Sequence, residues 1–534
     1  MADHLDVDSP ESLAWQGERS SKAEVHLDGL ASRSSFFERI AANLADTRLA
    51  PVVARGGRWF QSAVLEAGDD QPVIVVRDSP AGSPRVLVDP NEISAKRGVP
   101  CSVVLSSPSP DGRTFAYTLM QAGAEAYELG LVDVESGTLL PDEIALNVTG
   151  LSWLADSSGF YASALEVADG AVGVRLYEVL LGSGVGAALK GPDGLLDMRP
   201  FVSADGAHIA VASGNTEQRL DWIVQDGQLE PFLDHVAGGV TGGFHGDDFF
   251  ALLDGGAPRG RLVRIPVATA SDRTTWTELV AESDDVLRYV QVVGDVVVLG
   301  YLRDATAGLR LLDLEGVLLE EVALPSAGTV SAYPYGASHP AIPMFVTGDD
   351  EISFIHSSFT SSWGVYRYVL SERRLEVLTP PAITLDGLTV STVTPTSKDG
   401  SALPTHVVHR SDLDMSVPQP TLVYGYGGFN MSNLPSFAAE NAAWIEAGGV
   451  FVLSHLRGGS EFGAQWWSEG TRATKQRTFD DLYAVAEHLL DTGVTTREQL
   501  ALKGESNGGL LAGVAITQRQ IGRASCRERV YVLV

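Results

Sequence analysis

Between Pro51 and Leu378 the chain repeats one small unit: an apolar stretch, a turn of Asp, Ser or Gly, then a strand of alternating character. "SPSPDGRTFAYTL" (107–119), "LSWLADSSGFYASAL" (151–165) and "FVSADGAHIAVAS" (201–213) carry it. "VVGDVVVLGYL" (292–302) and "WGVYRYVLSERRLEVL" (363–378) continue it. Almost none of this region has helical periodicity. A turn–strand unit repeated over some 330 residues without helices predicts radially arranged four-stranded sheets, and at about 45 residues per blade it predicts seven of them. The expected architecture over residues 49–381 is therefore an all-β propeller. A pair of large β-sandwiches is the alternative reading of the same turn spacing.

The character changes after "LTPPAITLDG" (378–387), where Pro380 and Pro381 stop a strand and stiffen a connector. "LTVSTVTPTSKDGSALPTHVVHRS" (388–411) reads as a hairpin closed by the Lys398-Asp399-Gly400 turn. "PTLVYGYGGF" and "GGVFVLSHLRGG" are apolar strands that end in glycine-rich loops. "TFDDLYAVAEHLLDTG" reads as a helix: Thr478 can cap it, Asp480 and Asp481 suit its positive end, and Leu482, Val485 and Leu489 share a face. Alternating strands and helices predict a sheet covered on both faces, an α/β domain over 382–520.

In that domain "ALKGESNGGLLAGV" (501–514) places Ser506 between Gly504 and Gly508, after an apolar strand and before a small-residue helix. This strand–turn–helix context is how a nucleophilic serine is presented, with its hydroxyl above the sheet. The Asn507 N–H at the helix start is expected to face a developing oxyanion. The competing reading is a structural serine in a glycine turn. "YGYGGFN" (424–430) also follows a strand, in the position that supplies a second oxyanion donor. Its tyrosines can serve there through a hydroxyl or serve only as packing residues.

The formal net charge of −30 repels phosphate backbones and excludes nucleic acid as the expected partner. The two cysteines, Cys101 and Cys526, give neither a disulfide framework nor metal spacing, so neither metal nor cofactor is expected. The acidic start "MADHLDVDSPESLAWQGE" has no apolar core, and no run of 18 apolar residues occurs, so a cytoplasmic chain without membrane association is expected. "GSGVGAALKG" (182–191) lacks the strand–loop–helix context of a phosphate loop and reads as part of the propeller.

The stretches "YGYGGFN", "LRGGSEFGAQWW", "KQRTFDDLYAVAEHL" and "KGESNGGLLAG", in this order and spacing, resemble the prolyl oligopeptidase family of serine peptidases. "LVDPNEIS" (87–94) is a weaker match. The resemblance implies a seven-bladed propeller over an α/β-hydrolase domain, with residues 1–48 packed on the hydrolase. It implies cleavage of short peptides, commonly after proline, through an acyl-enzyme on Ser506. By the same resemblance the Asn507 N–H and the Tyr426 hydroxyl are the oxyanion donors, and Phe429 walls the pocket for the residue before the cleaved bond. Arg457 and Glu461 match positions read as structural, and Glu505 stands where the family usually has a small residue. An esterase on the same fold and a non-catalytic, peptide-binding propeller are the rival readings.

Hydrolases of this fold order their triad Ser, Asp, His. After Ser506 this sequence has one acidic residue, Glu528, and no histidine. His406, His409, His455 and His488 lie upstream and are expected to be packed or surface residues. The tail 521–534, "IGRASCRERV…", lacks the pattern of a buried strand and reads as the translation of a sequencing adapter. The expectation is an incomplete hydrolase domain, inactive by itself, with the strand before Ser506 left at a sheet edge.

Overall fold

The computed structural model describes residues 9–44, 50–65, 70–80, 82–124, 126–141, 144–168, 171–189, 197–214, 216–333, 337–339, 342–519 and 523–524. Parts of the N-terminal segment (residues 1–8 and 45–49) and of the tail (all of 521–534 apart from 523–524) lie outside them.

Seven antiparallel sheets follow one another along the chain, over 53–88, 101–133, 148–188, 198–231, 240–280, 286–321 and 329–379. This is the seven-bladed propeller. The turn between the first two strands of a blade recurs by the same chemistry. Asp111 accepts from the Ser109 hydroxyl (2.6 Å) and the Arg113 N–H (3.0 Å). Asp205 repeats this with Ser203 (2.6 Å) and the Ala207 N–H (3.0 Å). Gly112 and Gly206 follow these aspartates at φ +69° and +74°, a conformation that glycine adopts without a Cβ clash. The side chain thus makes a local turn that sends the strand back on its neighbour. Apolar faces of adjacent blades then meet: Phe249 packs edge-on against Phe232 at 5.7 Å, and Phe201 stacks on Phe244 at 6.0 Å. The ring closes without a covalent link, where the Val52 N–H donates to Ser353 Oγ (3.1 Å) and Arg55 donates to the Thr347 carbonyl (2.5 Å).

Among the described residues one α-helix, Pro90–Arg97, interrupts the β region, which is otherwise as nearly free of helices as expected. Asp89 caps it, accepting from the N–H groups of Asn91 (2.8 Å) and Glu92 (3.2 Å), and proline holds its first position. Asp-Pro was legible as a start signal, but eight residues are too few for a clear 3.6-residue period. The N-terminal region forms helices Pro10–Asp28 and Arg33–Asn43. The second rests on the α/β domain, where Phe36 stacks on Trp444 (6.2 Å) and Asn43 donates to Glu446 (3.1 Å).

The connector after Pro381 is pinned to the last blade. Ser362 N–H donates to the Ile383 carbonyl (2.9 Å), and Leu385 N–H to that of Thr360 (2.8 Å). The α/β sheet has the order Leu388–Val393, Thr405–Arg410, Val450–Ser454, Thr421–Tyr424, Leu500–Lys503, Arg523–Ala524. The last four strands run parallel. The strand before Ser506 is not left at an edge along its whole length, since Ala501 and Leu502 pair with Arg523 and Ala524. Val407, Val423 and Val452 face the helices Gln476–Asp491 and Asn507–Gln518. Val408, Leu422 and Phe451 face the helix Ala439–Glu446 and Phe359 of the propeller. Fully burying each such side chain contributes about 1.5–3 kcal/mol.

Thr478 does not cap the Gln476–Asp491 helix. The helix begins two residues earlier, and the Thr478 hydroxyl donates instead to the Arg457 carbonyl (2.7 Å). A buried acceptor on a neighbouring loop won over the local cap. Leu482, Val485 and Leu489 are buried on one face, as the period predicted.

Candidate active site

Tyr424 pairs in register with Lys503 across two adjacent parallel strands. The loops that leave these strands therefore rise side by side at the carboxyl edge of the sheet, where open α/β folds gather their ligands. Ser506 sits on one of them at φ +51° and ψ −114°, a strained conformation that costs about 1–3 kcal/mol. Two backbone bonds hold the bend: Gly508 N–H to the Glu505 carbonyl (2.7 Å) and Gly509 N–H to the Ser506 carbonyl (2.9 Å). A Cβ on Gly504 would lie 2.2 Å from the Gly508 carbonyl oxygen, and one on Gly508 would lie 2.7 Å from that of Gly425. Gly504→Ala is accordingly expected to destabilise the domain by about 1–3 kcal/mol, read as a lowered Tm by circular dichroism. An unchanged Tm would mean that the elbow relaxes freely.

The other loop carries Tyr426, which lines the same cavity as Ser506. Burial pushes this phenol above its ordinary range, and the nearby Ser506 side chain offsets part of that rise. Two side chains clamp the backbone behind it. Asn507 Nδ2 donates to the Tyr426 carbonyl (2.6 Å), and Lys475 Nζ donates to the Gly427 carbonyl. Burial lowers the Lys475 ammonium to about 8. Farther along, the loop is strapped to the propeller. Asn430 Nδ2 donates to the Thr216 carbonyl (2.7 Å), Ser432 and Asn433 pair with Ser338 and Ala337, and Thr329 Oγ1 donates to the Pro435 carbonyl (2.8 Å).

Ser506, Asn507 and Tyr426 are thus brought together. Phe429 stands apart: 53% of it is exposed, at φ +55°, and it does not line the cavity beside Ser506. That cavity, about 340 Å³, is walled by Phe359, Met431, Leu434, Phe437, Phe451 and Leu453. Its polar end holds Glu440, Lys503 and Glu505. Lys503 is buried and donates to Glu440 (2.6 Å), with Glu505 at 3.4 Å. Burial favours the neutral Glu440 carboxyl, but the Lys503 ammonium outweighs it and leaves the group below its ordinary value. Glu505 therefore turns its carboxylate toward Lys503.

The histidines upstream make their bonds elsewhere. His406 Nδ1 and His455 Nε2 lie 2.9 Å apart, and His455 Nδ1 is 3.7 Å from Glu461, all three side chains being buried. Burial and the neighbouring ring lower His406 to about 4. His409 Nδ1 contacts the Arg410 carbonyl (2.7 Å). Arg457, 1% exposed, ties three segments together: it donates to Asp481 (2.6 and 2.9 Å), Asp399 (2.5 Å) and Ser397 (3.2 Å). Sequence reasoning missed the charged trio and the His–His–Glu chain. Their members are too far apart in sequence for spacing to join them. Glu505, beside Ser506, was the one visible signal.

Residues 5–348 match the family description "Prolyl oligopeptidase, N-terminal beta-propeller domain", and residues 435–521 match "Prolyl oligopeptidase family". The prolyl endopeptidase of Elizabethkingia miricola is 28% identical over 474 residues, covering 84% of this chain and 64% of that protein. The dipeptidyl aminopeptidase BI of Pseudoxanthomonas mexicana is 24% identical over 520 residues, covering 90% of this chain and 68% of that protein. A solved prolyl endopeptidase structure superposes with a TM-score of 0.86 at 28% identity, over 97% of this chain and 77% of that one. Prolyl oligopeptidase B from Galerina marginata, bound to a 25mer macrocyclization substrate, shares the fold at a TM-score of 0.85 and 21% identity, over 97% of this chain and 77% of that one. The chain spans 64% of the length of the Elizabethkingia miricola enzyme.

Proposed function

The chain belongs to the prolyl oligopeptidase family, and from that premise we propose that it is the propeller and nucleophile-bearing part of a serine peptidase. Its substrates in this reading are short peptides, cut after proline. Ser506 Oγ attacks the scissile carbonyl, and the amine leaves to give an acyl-enzyme that water then hydrolyses. The Tyr426 hydroxyl and the Asn507 N–H stabilise the oxyanion, aided by the helix that begins at Asn507. Phe429, exposed and outside the Ser506 cavity, is assigned one wall of the pocket for the residue before the cleaved bond, the rest of which comes from the segment this chain does not span. A histidine oriented by an aspartate acts as base, and we assign both to the part of its relatives' length that this chain does not span. A cytoplasmic site of action completes the reading, supported by a buried Cys101 with a free thiol. Among the described residues, no helix is long and apolar enough to cross a membrane.

One observation carries the proposal: a serine held at φ +51° on a strand-to-helix bend, with a phenol from the adjacent loop lining the same cavity. The test is release of chromophore from a proline-containing peptide amide and from a short acyl ester. No turnover is expected from the chain by itself. Amide cleavage is expected once it is joined to the segment its relatives carry. In that enzyme Tyr426→Phe should lower kcat by about 10²–10³ with KM little changed, the pattern of an interaction made only in the transition state. Ester cleavage without amide cleavage would point to an esterase. Turnover by the chain alone, abolished in Ser506→Ala, would refute the assignment of the base.

A further inference from the structure

We infer that Glu505 makes the polar end of the Ser506 cavity a subsite for a cationic side chain, lysine or arginine, of a bound peptide. The inference rests on the peptidase reading only for the peptide nature of the ligand. The cavity of about 340 Å³ falls in the range of small-molecule sites, ~300–1,000 Å³, so it has room for one extended side chain.

The charges lining it do not cancel. Glu440 and Glu505 supply two carboxylates and Lys503 supplies the one ammonium, which leaves a net charge of −1. The pairing is also uneven. Lys503 Nζ sits 2.6 Å from Glu440 but 3.4 Å from Glu505, so Glu440 satisfies the lysine and Glu505 keeps free acceptor capacity. The Glu505 side chain is 34% exposed, open to a ligand, whereas that of Lys503 is 8% exposed and shielded from one.

A second acceptor lines the same space. Asn441 Oδ1 is buried and, among the described residues, has no hydrogen-bond partner. A buried carbonyl oxygen without a donor is unfavourable by about 1–3 kcal/mol, and an ammonium or guanidinium is a group of donors with nothing to accept. The remaining wall suits the stem of such a side chain. Phe437, Phe451, Leu434 and Met431 offer apolar surface for methylenes, and Tyr424 already carries a cation over its ring, Lys503 Nζ at 5.7 Å from the centroid. Because Ser506 lines this cavity, the cationic residue sits near the reacting carbonyl. The −30 charge of the whole chain raises the local concentration of such ligands but does not select one site.

The experiment is equilibrium binding of two neutral-backbone probes to the full chain by titration calorimetry. The probes are Nα-acetyl-lysine methylamide and its uncharged analogue Nα-acetyl-norleucine methylamide. The lysine probe should bind about tenfold more tightly, the advantage shrinking as salt is raised. Glu505→Gln should reduce the preference to within about twofold, and Glu505→Lys should reverse it. Glu92→Gln, at a distant exposed carboxylate, should leave it unchanged. Equal affinity for the two probes overturns the inference, as does a preference that survives Glu505→Gln or falls equally in Glu92→Gln. Ser506→Ala should leave the preference intact, since binding needs no nucleophile. A completed enzyme that cleaves no peptide while the chain keeps the preference would count against the proposed function alone.

Discussion

Ser506→Ala is expected to lower kcat for a peptide amide by about 10⁶ in the completed enzyme, with KM within a few-fold of the parent. The loss is large because the oxyanion donors can only stabilise a tetrahedral adduct that some nucleophile has formed. Without Ser506 Oγ, water must attack unaided. The small change in KM follows from the size of the group, since one hydroxyl in the lining of a cavity of about 340 Å³ supplies little binding surface. Steady-state kinetics decide it, and an alanine variant that keeps even 1% of the parent kcat would sink the nucleophile assignment. The backbone makes a companion statement. Alanine retains a Cβ and so retains the strain at φ +51°, whereas glycine does not. Ser506→Gly should thus be inactive and yet more stable than Ser506→Ala by about 1 kcal/mol, measured as a higher Tm.

Arg457→Met should be the most destabilising single change in the α/β domain. The guanidinium is 1% exposed and holds Asp481, which is fully buried, and Asp399 on the hairpin turn. Removing it leaves Asp481 buried without its cation, a loss of about 3–5 kcal/mol. For a unit of this size that is a fall in Tm on the order of 10 °C. The pH dependence has a definite sign. The bond to Arg457 holds the Asp399 carboxyl below its ordinary value. Its folded value thus lies below its unfolded one, so its contribution is present at neutral pH and fades as acid drops below about pH 4. The Asp399 carboxylate is 40% exposed, and solvent screening reduces its share. The gap in Tm between the parent and Arg457→Met should narrow between pH 5 and pH 3. A gap that widened there, or a fall in Tm of under about 2 °C at pH 7, would contradict the network as described.

Much of the architecture was legible because its signals are local. An aspartate that turns the chain two residues later needs no distant partner, and Asp111 and Asp205 could be read from "SPDG" and "SADG". The hairpin at Lys398-Asp399-Gly400 and the buried stripe Leu482, Val485, Leu489 follow from period and turn chemistry in the same way. At Thr478 a distant acceptor overrides the local signal. Its place beside a helix start suggested a cap, but the bend at Arg457, 21 residues earlier, put a carbonyl within reach and the hydroxyl took it.

Within the site, the sequence alone determined the bend at Ser506, the helix start at Asn507 and the glycine loop around Tyr426, since each is written within seven or so consecutive residues. Only the folded sheet decided that Tyr426 reaches Ser506 across 80 residues, that Lys503 pairs with Glu440 before Glu505, and that Phe429 stands outside the cavity. The reason is strand order. Thr421–Tyr424 lies beside Leu500–Lys503, with one strand from elsewhere in the chain on each outer side. A side chain's neighbours across that sheet are set by pairing and register, which no stretch of adjacent residues encodes.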